Sequence, residues 1–187
     1  KCVNRLQISP MAIGCCSDIN FINEDGTIRT SWTQSYTNID ASAKTIVERA
    51  RELTSKVGWY AIYSIFRTDI LRQTSLCQAQ YADDVLLLLE LLLLGEIIKV
   101  PEHLFYYRVF NIDKTPEDYI RIFNIDAETA TEIRQGSFTY LAKQVLNTVY
   151  ASKASVQDKH RIQVDFMQTL AHNNQDWLGR IAQEQGW

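Results

Sequence analysis

Glycine and proline are scarce. There are seven glycines and three prolines in 187 residues, well under the usual combined share of ~12%. A many-stranded sandwich or barrel needs turn formers at short intervals, so this scarcity argues against one and favours long helices. Charge of one sign is missing too. Nineteen Lys and Arg face 22 Asp and Glu, for a net charge of −3, which excludes a nucleic-acid binder driven by phosphate neutralisation. A composition 46% hydrophobic and 22% charged excludes a disordered acidic tail. The longest greasy run, Val85 to Leu94, is broken by Glu90 and falls far short of the ~20 residues that span a bilayer; no signal peptide is visible. The four cysteines, Cys2, Cys15, Cys16 and Cys77, form no CxxC pair. The histidines His103, His160 and His172 lie far from any cysteine pair, so no zinc site is expected. The four cysteines read as reduced, buried thiols of a cytosolic protein. No DxD triplet, Gly-rich phosphate loop, GxSxG or HExxH occurs. The chain opens at Lys1-Cys2-Val3 without an initiator methionine, which reads as the middle of something longer.

Residues 10–30 read as a β-hairpin or meander. Met11 to Cys16 forms a doubly buried strand, Asn23-Glu24-Asp25-Gly26 a tight turn and Thr27 to Thr30 the return. Residues 31–40 read as a loop. Ser42 to Lys56 reads as an amphipathic helix with Ile46, Ala50 and Leu53 on one face, stopped by Gly58. Trp59 to Phe66, rich in β-favouring side chains, reads as a strand, and Thr68 to Thr74 as a short helix. Asp83 or Asp84 is expected to cap a helix that runs to Leu94 and closes on Gly95. Eight of its residues are leucine, so it must be buried all round. Glu96 to Val100 and Leu104 to Val109 read as two strands separated by Pro101. From Thr115 onward only helical patterns follow. The chain thus divides into residues 1–110, which mix strands and helices, and residues 111–187, a helical extension.

Chemistry concentrates where two carboxylates, Asp83 and Asp84, open a deeply buried helix. The helix N-terminus favours their charge, whereas burial and mutual repulsion raise a pKa. A carboxylate in that balance can act as a general base; the bland alternative is an ordinary N-cap pair. Glu90 lies seven positions after Asp83, on roughly the same side and about 10 Å away. A buried carboxylate needs a partner, and Arg67, Arg72 or Arg108 is expected to supply it. Trp59 and Tyr60 start one strand and Tyr106-Tyr107-Arg108 ends another, where rings can stack on the apolar face of a sugar or simply pack in a core. His103 is expected in an exposed loop.

These residues resemble a known family. Residues 3 to 110 resemble the second half of the catalytic domain of inverting family 2 glycosyltransferases with the GT-A fold. The segment Asp84-Val85-Leu86-Leu87-Leu88-Leu89-Glu90-Leu91-Leu92-Leu93-Leu94-Gly95, then Ile97 to Glu102 with its Val100-Pro101-Glu102, then Leu104-Phe105-Tyr106-Tyr107-Arg108, follows the family's order. That order is an acid, a helix closing on Leu-Gly, an apolar strand, Val-Pro-Glu and a Tyr-x-Arg strand. Ser64 to Leu71 and Asp18 to Gly26 are similar to its upstream strand-and-helix and its central hairpin.

The resemblance implies an α/β fold of α+β-like character: the second half of a GT-A-type mixed sheet with flanking helices, followed by an all-helical tail. It implies transfer of a sugar from a nucleotide-sugar donor to an acceptor hydroxyl with inversion. Asp84 would be the base and Asp83 its neighbour, setting its pKa or touching the acceptor. Trp59, Tyr60, Tyr107 and Arg108 become candidate residues for binding a sugar or glycan acceptor. The donor-binding half, with its DxD motif holding Mn²⁺ or Mg²⁺, would precede Lys1. No metal is then expected on this chain alone, and the 187-residue chain by itself is expected to be inactive. The tail matches nothing in the family pattern and is a candidate for homodimerisation or peripheral membrane contact. The alternative is a non-catalytic helical interaction or dimerisation module derived from such an enzyme.

Overall fold

The computed structural model describes residues 1–55, 59–110, 114–171 and 178–186. Its centre is a helix, α5 (Asp83–Leu94), whose leucine repeat leaves no polar face. Val85 to Leu89 and Leu91 to Leu93 are all buried, so packing must come from every side. Before it in the chain come α1 (Cys2–Gln7), β1 (Ala12–Ile22), α2 (Thr30–Ser35), α3 (Ile46–Thr54), a 3₁₀ turn (Tyr60–Tyr63), β2 (Ile65–Phe66) and α4 (Thr68–Leu71). After it come β3 (Glu96–Arg108), α6 (Pro116–Ile122), α7 (Ala127–Gln135), α8 (Ser137–Ala151), α9 (Val156–Ala171) and α10 (Leu178–Glu184). The fold is therefore mixed α/β.

The sheet has the order β2-β1-β3 among the described residues. β1 runs antiparallel to β2 and parallel to β3, from Ala12 opposite Glu96 to Ile22 opposite Arg108. Central β1 is buried along nearly its whole length. Ile13 and Cys16 join the α5 core, whereas Ala12 and Cys15 face Leu6 of α1. Helices α3 and α8 cover α5, and α9 packs on both of them. Leu141, Val145 and Phe166 thus share one core with the leucine helix. Arg49 of α3 donates from Nε to the Leu92 carbonyl at 2.7 Å and from Nη1 to the Lys44 carbonyl at 2.9 Å, satisfying an orphan acceptor at the end of α5. Arg67 gathers three carbonyls, those of Ala12 at 2.8 Å, Leu6 at 2.9 Å and Ser9 at 3.3 Å, and pins α1 to the start of β1.

Local chemistry explains the starts of α3, α6 and α7. Thr45 and Glu48 form a reciprocal capping box on α3, as do Thr115 and Asp118 on α6, where Pro116 follows the cap. Asp126 accepts from the N–H groups of Glu128 and Thr129 at 3.0 Å each to start α7. The helical reading of residues 115 onward holds wherever they are described. Gly58 and Lys56, read as the end of α3, lie outside the described residues, as do His172 and Trp177.

Several expectations are corrected. The hairpin after β1 shrinks to a single bridge between Ile22 and Ile28. The supposed loop that follows contains α2, because Thr33 Oγ1 accepts from the otherwise free Phe21 N–H at 3.0 Å and Trp32 packs edge-on against the Phe21 ring. Trp59 to Phe66 is not a strand. Trp59 Nε1 donates to the Leu53 carbonyl at 3.2 Å and Ala61 is buried in the α5 core, which coils the segment and leaves only Ile65 and Phe66 paired with β1. Tertiary packing overrides β-propensity here. Glu96 to Arg108 is one strand and not two. Its pairing shifts between Ser17–Val100 and Asp18–His103, so Pro101, which has no N–H to give to a ladder, bulges the strand without ending it. His103 is exposed, as expected, but in this strand and not in a loop. Neither aspartate caps α5. Its N-cap is Ala82, in the left-handed region at φ 54°. Cys15 and Cys16 are buried, and burial pushes both thiols up to about 12, so they stay protonated; Cys2 is half-buried and Cys77 is exposed.

Gly95 closes α5 in an extended conformation, at φ −177°, so its lack of a side chain matters for space and not for handedness. A Cβ there would sit 2.3 Å from Cγ2 of Ile13. Gly95→Ala is therefore expected to destabilise the chain by about 1–3 kcal/mol through overpacking. Ile13→Ala in the same chain is expected to cost less than it does alone, a non-additivity that a double-mutant cycle in urea measures.

Candidate active site

α5 carries both aspartates in its first turn, but successive helical positions diverge by about 100°, and the two meet different neighbours. Asp83 lies beside Cys77, and burial together with the Asp83 charge raises that thiol. Asp84 is half-buried, and its charge acts on the hydroxyls of Tyr63 and Tyr119. Burial raises the Asp84 carboxyl above the ordinary aspartate range. The charge of Asp83 adds to the rise, and the Val85 N–H, donating to Oδ1 at 3.0 Å, opposes it. The expected balance of forces at the helix start is present at Asp84, although the aspartate is not the cap.

Around Asp84 lies a group of tyrosines. Tyr60 and Tyr107 meet edge to face with centroids 4.7 Å apart. Tyr63, 55% exposed, stacks on Phe105 at 5.0 Å and lies 6.0 Å from the Tyr107 ring. Tyr81 and Tyr119 pack edge to face at 5.2 Å. Beneath them, Phe21 holds Tyr60, Tyr107 and Tyr36 in an edge-to-face set. Burial, first of all, raises the phenols of Tyr60, Tyr63 and Tyr119, so each remains a hydroxyl donor at neutral pH.

Of the six residues expected at a site, Tyr60 and Tyr107 come together, and Tyr63 links Tyr107 to Asp84. Trp59 packs instead against the α5 core. Arg108 turns away: its Nη1 donates to the carbonyls of Asn23 (3.1 Å) and Glu24 and clamps the turn after β1. Glu90 has none of its expected arginine partners. Its Oε2 accepts from the Ser75 N–H at 2.6 Å and its Oε1 from the Ser75 hydroxyl at 2.8 Å. Tyr63, Phe105 and Tyr119 escaped the sequence reading. Tyr63 was masked by the strand assignment, and Tyr119 sits on α6, beyond the residues that carry the resemblance.

Two further features frame the site. Asp18 and Lys99 form a half-sunken ion pair at 3.2 Å, in which Asp18 also accepts from the Asn38 N–H at 3.0 Å. This pair joins adjacent strands and lies apart from Asp84 in the fold. A cavity of about 690 Å³ flanks α5 on the side of Leu86 and Glu90, and Asp84 is not among its lining residues. Among the described residues, no group of three His, Cys, Asp or Glu side chains is placed to hold a metal ion, and no helix is long and apolar enough to cross a membrane. Compared with protein-family models, curated proteins and solved structures, the chain matches none of them.

The raised Asp84 carboxyl has a consequence for stability. The folded state holds this proton more tightly than the unfolded one, so stability falls as pH rises from 3.8 towards the folded value. The penalty is present at neutral pH and absent below the ordinary aspartate range. Asp84→Asn is therefore expected to raise Tm at pH 7. The gain is expected to vanish at about pH 3, as followed by thermal circular dichroism.

Proposed function

We propose that this chain is the acceptor-side half of an inverting, GT-A-type family 2 glycosyltransferase, and that Asp84 is its general base. The observation that carries the proposal is the place of Asp84: a half-buried carboxyl in the first turn of the leucine helix, raised by burial, with Tyr63 and Tyr119 close enough to feel its charge. A base working near neutral pH needs that shift. In the step proposed, an acceptor hydroxyl oxygen attacks the anomeric carbon of a nucleotide sugar and bonds to it. The bond from that carbon to the diphosphate oxygen breaks, its electron pair leaves with the nucleoside diphosphate, and the configuration inverts. The hydroxyl proton passes to the Asp84 carboxylate. Tyr63 and Phe105 offer the acceptor an exposed ring surface, and Tyr60 and Tyr107 support it from below. Asp83, turned towards Cys77, acts on Asp84 through its charge.

The described residues offer the Mn²⁺ or Mg²⁺ of the family no ligand set. The proposal therefore assigns the metal, and the donor, to a nucleotide-binding half outside this chain, and gives Asp84 the proton alone. A cytoplasmic location and a peripheral membrane contact through the tail belong to the same proposal.

A second reading, a non-catalytic module that dimerises through its helical tail, is favoured by the apolar side chains the tail leaves in water. Val156 is 78% exposed, Tyr150 75% and Met167 51%.

The chain joined to its upstream region is expected to release nucleoside diphosphate and transfer sugar. Asp84→Asn is expected to cut transfer by at least about 100-fold while donor binding is kept, and the 187 residues alone are expected to show none. Unchanged transfer in Asp84→Asn would move the base elsewhere, first to Asp83. Absence of transfer by the joined protein, together with a concentration-dependent dimer in sedimentation, favours the module.

A further inference from the structure

The cavity beside α5 has a chemistry of its own. Its floor is aliphatic, made by Leu86, Leu87, Leu93 and Leu94 of α5. Its rim is built from neutral amides and hydroxyls. Gln78 and Gln80 come from the connector between α4 and α5, and Gln144, Asn147 and Thr148 from α8. Glu90 stands in the floor with its carboxylate fixed by the two bonds from Ser75. A carboxylate accepts about four hydrogen bonds, so acceptor capacity remains on it. Gln80, Gln144 and Thr148 are half-buried, and their side chains make no hydrogen bond to other described residues. Their donors and acceptors line the open cleft, where a ligand can take the place of water on them.

The lining selects a class of ligand. Phosphate calls for several cations, and Lys153 is the single lysine or arginine on the rim. The lining contains no aromatic ring, so neither a base nor a sugar face is stacked here and recognition rests on hydrogen bonds and aliphatic contact. A divalent cation calls for several oxygen or nitrogen ligands, and no such group exists among the described residues. Amides that donate and accept, together with one oriented carboxylate, match hydroxyl groups that do the same, while leucines take up C–H faces. The volume of about 690 Å³ falls in the range of small-molecule sites, roughly 300–1,000 Å³.

We infer that this cleft, between the Gln73–Gln80 connector and α8, is a binding site for a neutral polyhydroxylated molecule of saccharide type, with Glu90, Gln80 and Gln144 as its polar contacts. Asp84 is not among its lining residues, so the cleft is a separate site from the one proposed around Asp84.

The test is ¹H–¹⁵N NMR titration of the chain with cellobiose, lactose and N,N′-diacetylchitobiose, with spermidine and inorganic phosphate as competing chemistries. At least one disaccharide is expected to give saturable shifts confined to residues 73–80 and 144–148 and to the amides around Glu90. Glu90→Gln and Gln144→Leu are each expected to weaken that binding about tenfold, with the remaining spectrum unchanged as proof of folding. Asp84→Asn is expected to leave it within twofold. Asn147→Ala, on an exposed position of α8, serves as a second rim variant should Gln144→Leu perturb the fold, and is expected to weaken binding in the same direction. Absence of saturable shifts with all three disaccharides overturns the inference. So do saturation by spermidine or phosphate in their place, and sugar binding that Glu90→Gln and both rim variants leave intact. Loss of binding in Asp84→Asn would tie the sugar to the other site and likewise overturn it.

Discussion

The requirement that α5 be surrounded governs this molecule. Eight apolar side chains on one twelve-residue helix are buried together, and no single neighbour can cover a helix that lacks a polar face. The sheet covers one flank through Ile13 and Ile97, α3 another through Ala50 and Leu53, and α8 a third through Leu141 and Val145. Because α9 lies across α3 and α8, the C-terminal helices complete the core begun by the first hundred residues. Even the ends of α5 answer to this crowding: Gly95 yields space to Ile13, and Arg49 reaches in to the Leu92 carbonyl.

Placing charge on such a helix has an energetic cost, and the three acids of α5 meet it differently. Glu90 is held by the backbone and hydroxyl of Ser75. Asp83 turns towards the thiol of Cys77. Asp84 receives the N–H of Val85, but burial outweighs it and the carboxyl is left reluctant to ionise. At Asp84 burial is the largest influence, and it holds the carboxyl above the ordinary aspartate range.

The sequence announced some of this and hid the rest. Helices are set by periodicity and caps that lie within a few residues, which is why α3 could be read from the spacing of Ile46, Ala50 and Leu53 and α6 from Thr115-Pro116, whereas the caps Thr45 and Asp126 emerge only in the fold. The burial of α5 followed from composition alone. Strands depend on partners far away in the chain. Trp59 to Phe66 has every local attribute of a strand, yet Trp59 and Ala61 are drawn to the α5 core and coil the segment. Pro101 looks like a stop, yet the parallel pairing with β1 resumes beyond it. Of the residues proposed for a site, Tyr60 and Tyr107 come together in the fold and Asp84 stands in the first turn of α5. Arg108 and Trp59 were misplaced because their partners, the carbonyls of Glu24 and Leu53, are fixed only once the chain is folded.

The order of these elements along the chain matters during synthesis. β1 must wait for β3, about 84 positions later, before it gains its long parallel neighbour, and pairing across such a separation is intrinsically slow. The leucine helix leaves the ribosome before α8 and α9, which supply its last cover. A nascent chain that has extruded β3 but not α8 therefore carries a greasy, half-wrapped rod, the kind of species that chaperones retain. The helical tail is the closing clasp of the fold, and without α8 one flank of the leucine helix has no cover.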